Sequence, residues 1–296
     1  MTTTGSRRSA TTARWRPRIA TALLLLPTSS WYLLLLLAPL LILLVFSLGH
    51  RAPEGGYAPG LDLDNYFRLP TRQTAFTTTA GMAAAGTALC VLVGYPLAYY
   101  LATRAGAKRT IILVLVIVPF WTSQLIRTYA WLTILGSTGL PALLEGLGLQ
   151  NVVLLNSPPA VLVGLVYNYL PLMVFPLYVS LERLDKRLLE ASKDLGAGRL
   201  ATFRQVTLPL PLPGILSGVI LVFIPIMGEY LVPQLLGGGK LYFVGNALYD
   251  SFLQSRNWPF GSAMAIGLIV VVLAAVTVYL RVGSAGGGAR RQVSLL

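Results

Sequence analysis

Six apolar stretches of about 20 residues each recur along the chain, at 31–48, 73–102, 111–129, 159–179, 214–235 and 259–280. As helices, stretches of that length match the hydrocarbon thickness of a bilayer. Inside lipid the backbone must satisfy its own hydrogen bonds, which restricts a spanning chain to helices or a closed barrel. A barrel would alternate apolar and polar residues along short strands. Residues 33–48 do not alternate. The expected fold class is therefore an all-α membrane protein with six transmembrane helices. Composition agrees, with 55% hydrophobic and 11% charged residues, against about a quarter charged in soluble domains.

Charge then orients the spans. The net charge of +13 would suggest nucleic acid for a soluble chain. In a membrane protein, basic loops mark the cytoplasmic side instead, so no nucleic-acid partner is expected. Of 23 Lys and Arg residues, 17 fall in the amino tail, the 104–109 loop, the 181–213 segment and the carboxyl tail. Both termini and the 181–213 segment are thus expected in the cytoplasm, and the protein in the cytoplasmic membrane. Residues 1–30 read as an uncleaved basic tail. The Arg7-Arg8 pair lacks the cleavage site of an export signal, and the apolar run 20–26 stops at Pro27. Residues 31–281 hold the spans, and 282–296 form a second, Gly-rich tail. The segments 50–72, 136–157 and 236–258 read as external, the middle one with a short amphipathic stretch at 140–147. Gly81, Gly86 and Gly94 in the second span are placed to permit close helix approach, and Pro96 to bend its end.

The one long polar segment between spans is 190–209, EASKDLGAGRLATFRQVTLP. Leu181, Leu184, Leu188 and Leu195 recur at helical spacing, with Ala191 and Ser192 on the same face. A helix ending near Gly196, a turn and a second short helix over 197–206 are expected. Pro209, Pro211 and Pro213 then stop that helix. Such a projection suits either docking into a groove of a soluble partner or resting on lipid head groups.

Glu190-Ala191-Ser192, three residues, Gly196, nine residues, then Val206-Thr207-Leu208-Pro209 resembles the EAA motif of binding-protein-dependent ABC importer permeases. Ser192 and Val206 depart from the Ala and Ile of that pattern. Gly94-Tyr95-Pro96-Leu97-Ala98-Tyr99-Tyr100, Arg127-Thr128-Tyr129-Ala130-Trp131 and Gly228-Glu229-Tyr230-Leu231-Val232-Pro233 resemble the spermidine/putrescine-type permeases, in particular their first permease subunit. The resemblance covers about residues 31–281 and implies a type I importer permease fold. It implies that Glu190, Ala191, Ser192, Asp194, Gly196, Leu208 and Pro209 belong to a coupling element that docks on an ATPase subunit. It further implies a second permease subunit, two ATPase subunits and an extracytoplasmic solute-binding protein. ATP would be bound by the partner, leaving this chain without a cofactor and without catalysis. Polyamines are the leading solute; permeases of this architecture also carry iron, thiosulfate, phosphonates or opine-like compounds.

For the solute path, Glu229 is the carboxylate placed inside a span, and such a residue needs a partner or water. With Tyr230 beside it, it could counter a cationic solute, or instead make a gate or packing hydrogen bond. Trp121, Arg127, Tyr167, Asn168 and Tyr169 are further path candidates, and Asp250 is a candidate contact for the binding protein. Gly237-Gly238-Gly239-Lys240 is not read as a phosphate loop, because Leu241 stands where Ser or Thr is needed. No catalytic or metal site is expected: His50 is the sole histidine, and Cys90 the sole cysteine. An intramembrane serine protease would lack its base. A self-contained carrier remains the competing reading, separable by whether the chain alone moves solute.

Overall fold

The computed structural model describes residues 15–149, 151–184 and 186–291. Among them, four helices are long and apolar enough to cross a membrane, and six if each of two bent pairs makes one span. Helix α1 (Trp15–Ser47) starts well ahead of the expected first span, and its apolar part is Leu25–Ser47. Pro27 and Pro39 lie inside it rather than ending it. The first 14 residues of the expected tail lie outside the described residues.

A small antiparallel pair, β1 (His50–Arg51) and β2 (Tyr57–Ala58), follows in the segment expected as an external loop. A single turn, α2 (Asp64–Phe67), leads into α3 (Gln73–Thr103), which runs through Pro96 unbroken. The expected third span, 111–129, is instead two helices, α4 (Arg109–Ile117) and α5 (Gln124–Leu135). Pro119 has no N–H to extend the ladder, and residues 118–121 tighten into a 3₁₀ turn. Thr122 and Ser123 are then extended, with ψ of 149° and 137°, and the chain bends by 96°.

After α6 (Leu140–Gly146), Ser157 accepts the amide of Ala160 and caps α7 (Pro158–Glu182), with prolines at its first two positions. At 25 residues α7 is long enough to span with some tilt. The projection after α7 holds α8 (Lys186–Asp194) and α9 (Arg199–Thr202). The expected single amphipathic helix from Leu181 is divided, because Leu181 is buried at the end of α7 and α8 starts afresh. Asp185 lies outside the described residues. A π turn over 203–207 meets α10 (Leu212–Met227) at 76°. The expected fifth span, 214–235, breaks again at 228–230 before α11 (Leu231–Leu236).

The segment after α11, expected as an external loop, folds back into the molecule. It carries α12 (Val244–Tyr249), and Phe243, Val244 and Ala247 are buried. The Val244 amide donates to Thr79 Oγ1 of α3 at 2.9 Å, which fixes this return against the second span. Last comes α13 (Trp258–Arg291), helical through the Gly-rich run that was expected as a tail.

The core lies where α3, α7 and α10 meet, around Cys90, Leu165, Met173, Val174, Val222 and Ile226. Gly86 and Gly94 let α3 approach α7 and α10, as expected: a Cβ on Gly94 would sit 3.1 Å from Met173. Gly81 departs from expectation, since it faces open space.

Candidate functional site

Two sites emerge, one on the α8–α9 projection and one at the broken spans. In the first, Glu190, Ala191, Asp194 and Gly196 are all exposed, and Ser192 is half-buried. Gly196 has φ +77°, the left-handed region that a side chain disfavours. The Ala197 amide donates to the Ser192 carbonyl at 3.0 Å and the Leu195 amide to that of Ala191 at 3.0 Å, closing the end of α8. Ser192 and Thr202 hydroxyls lie 3.1 Å apart and tie α8 to α9. Leu195 is 89% exposed and Leu200 63%. These two bare leucines give the projection an exposed apolar surface.

A contact that the sequence reading did not anticipate joins this projection to the core. Tyr95 of α3 donates its hydroxyl to the Thr207 carbonyl at 2.7 Å, and its ring meets Phe203 edge-on at 5.8 Å. Leu208 and Pro209 follow directly, so the second half of the motif is where the projection is fastened to the spans. Arg109 of α4 pairs with Glu182 at the end of α7 and covers the Tyr178 ring, bracing the same end of the bundle.

The second site centres on Glu229, which is 5% exposed and sits in the break between α10 and α11. Its Oε1 accepts the amides of Tyr230, Leu231 and Val232 at 3.1, 2.8 and 3.3 Å, so the side chain caps the helix that follows it. Its Oε2 accepts Gln124 Nε2 at 2.7 Å and the Tyr169 hydroxyl. One carboxylate thus holds the start of α5, the middle of α7 and the start of α11. Asn246 of α12 adds to this, donating to the Tyr230 carbonyl at 3.0 Å and to Gln234 Oε1 at 2.9 Å.

The remaining path candidates divide. Tyr230 adjoins Glu229 and stacks on Tyr249 at 5.4 Å. Arg127 lies on α5 with its guanidinium 5.1 Å from the Phe120 ring centre. Asn168 is 2% exposed and both its amide atoms lack a partner. Tyr167 packs edge-on against Trp131 at 5.5 Å. Trp121 is 80% exposed and takes no part. Asp250 accepts the Tyr242 hydroxyl at 2.5 Å. Gln124, Gln234, Asn246 and Tyr249 were not singled out from sequence. They are ordinary polar or aromatic residues whose importance comes only from what folds against them. Among the described residues no group of His, Cys, Asp or Glu is arranged to hold a metal ion.

Residues 91–283 match the family described as binding-protein-dependent transport system inner membrane component. The chain belongs to that family. The permease is 42% identical over 248 residues to the spermidine/putrescine transport system permease protein PotB of Haemophilus influenzae, covering 82% of this chain and 87% of that one. It is 44% identical over 224 residues to the protein of the same name from Escherichia coli K12, covering 74% and 82%. Its fold matches a chain in the crystal structure of a bacterial alginate ABC transporter in complex with alginate pentasaccharide-bound periplasmic protein. That match has a TM-score of 0.73 at 18% identity and covers 92% of this chain and 96% of the other. The permease is therefore an inner membrane subunit of an ABC importer with the type I permease fold, and it works with partner subunits and a solute-binding protein.

Proposed function

We propose that the permease forms one half of a polyamine import pore, taking spermidine or putrescine from an extracytoplasmic binding protein. The observation that carries this reading is the 42% and 44% identity to two spermidine/putrescine permeases over most of the chain. A similar second permease completes the pore, and two separate ATPase subunits supply the ATP chemistry, so this chain carries no nucleotide and no catalytic residue of its own. The charge distribution supports a cytoplasmic position for the 181–213 segment and for both termini. There Glu190, Ala191, Ser192, Asp194 and Gly196 present the docking surface, with Leu195 as its apolar tip. Closure of the ATPase pair on ATP moves this projection. Tyr95 and residues 207–209 pass the motion to α3 and α10.

Reconstitution tests the reading. Complex of all subunits in proteoliposomes, with ATP on the ATPase side and binding protein on the other, takes up labelled spermidine or putrescine. The permease alone moves neither. Uptake of iron, thiosulfate, a phosphonate or an opine in place of polyamine would overturn the solute assignment. Uptake by the isolated chain would overturn the coupling assignment and restore the carrier reading.

A further inference from the structure

The cluster at Glu229 is asymmetric in a way the coupling reading does not use. Gln124 and Arg127 stand three residues apart on α5, so they share a helix face. Gln124 donates to Glu229. Arg127 does not, although it lies on the same face of α5. Its Nε and Nη1 are buried and have no acceptor among the described residues, and the Phe120 ring faces the guanidinium. Buried donors are almost always matched, so an unmatched pair on one guanidinium calls for an explanation. The charged acceptor in this cluster is the Glu229 carboxylate, whose places are taken by Gln124, Tyr169 and three backbone amides.

We propose that Gln124 and Arg127 are alternating donors to Glu229, Arg127 replacing Gln124 when the permease changes conformation during transport. Positions i and i+3 differ by about 4.5 Å along a helix and about 60° around it. Exchange therefore asks α5 for a displacement smaller than one helical turn, the step by which packed elements switch register. The longer reach of arginine reduces the demand further. Both partners in the exchange hang from breaks: α5 from the extended Thr122 and Ser123, α11 from residues 228–230. Each conformation has its own compensation, the ring of Phe120 for Arg127 in the one seen here and a charged hydrogen bond in the other. Two arrangements with different partners for one carboxylate give the two states that alternating access requires. The inference depends on family membership and not on which solute is carried.

The test uses the full complex in lipid nanodiscs. Spin labels replace Ile126 on α5 and Leu273 on α13, both exposed. Distance distributions are recorded in the resting and the ATP–vanadate-trapped complex. Two label distances are expected, with the populations exchanging between the two conditions. Gln124→Ala and Arg127→Ala shift the ratio of those populations in opposite directions, each by at least about fivefold, and Arg127→Lys lies between Arg127→Ala and wild type. Should Arg127→Ala fail to fold, Arg127→Gln, which keeps a donor without the charge, is expected to shift the ratio in the same direction. Both residues shifting the ratio the same way would overturn the exchange. So would an unchanged ratio in Arg127→Ala, or a single label distance in both conditions; an acceptor for Arg127 from the second membrane subunit would give that last outcome.

Discussion

At the scale of single residues, the Glu229 carboxylate matters because five donors converge on it. A glutamine there offers one oxygen and turns an N–H₂ group toward donors. Each buried donor left unmatched costs about 1–3 kcal/mol. Glu229→Gln should therefore lower the thermal stability of the purified permease by at least ~2 kcal/mol and reduce uptake by the complex. Denaturation in detergent, followed beside transport, checks both; wild-type stability would show that the carboxylate serves the solute path instead. The sequence already singled out Glu229, since a carboxylate within an apolar span stands out alone. Of its side-chain partners, Tyr169 was a path candidate and Gln124 was not, and the bond of neither to Glu229 was visible. Gln124 and Tyr169 lie 105 and 60 positions away, and nothing local in 120–130 or 165–172 announces a hydrogen bond to it.

At the scale of elements, the projection is the most legible part of the molecule. Its chemistry is local: a charged nine-residue helix, a glycine where φ must be positive, and prolines that end the segment. Even so, Tyr95 was visible only as part of a motif, and its grip on Thr207 emerges only when α3 packs beside the π turn. Two outcomes follow for the docking role. Leu195 is nearly bare, so Leu195→Asp leaves the internal packing intact. If its side chain is buried by the ATPase subunit, the change forfeits about 1.5–3 kcal/mol of apolar burial and weakens binding about tenfold or more. Titration of detergent-solubilised permease pair with labelled ATPase subunit measures this, and unchanged affinity would remove Leu195 from the interface. Gly196→Pro and Glu190→Lys act differently. A proline ring cannot adopt φ near +77°, and Lys reverses the charge offered to the partner. Both variants should remain in the membrane fraction while ATP-driven uptake is lost; uptake at the wild-type rate in either would be incompatible with the coupling role.

For the whole molecule, a tight core of α3, α7 and α10 carries peripheral elements that are joined to it less extensively. In the apolar window of α7, 50% of residues are buried within the chain, against none in that of α1 and 11% in that of α13. Hydropathy located these helices because lipid-facing and protein-facing spans are equally apolar. For the same reason it could not say which of them form the core, nor that the apolar residues of 236–258 return to the bundle and not to the outside. It also missed the break in the third span, because Thr122 and Ser123 barely lower the mean hydropathy while turning the chain by 96°. Glycines separate core from periphery in a way that can be measured. A Cβ on Gly218 would lie 2.6 Å from Met173 Sδ and 3.4 Å from the Met173 carbonyl oxygen, with Pro176 at 3.3 Å; one on Gly94 would press Met173 from the α3 side. A Cβ on Gly81 meets nothing within 4 Å. Overpacking a close-packed interior costs about 1–3 kcal/mol, whereas alanine for glycine in an open helical position gains about 0.4–1 kcal/mol by restricting the unfolded chain. Gly218→Leu and Gly94→Leu should therefore lower the melting temperature of the purified permease, and Gly81→Ala should leave it unchanged or raise it. Equal losses at all three positions would mean that α3 packs through its whole length, and that the three-helix core drawn here is not the unit that holds the spans together.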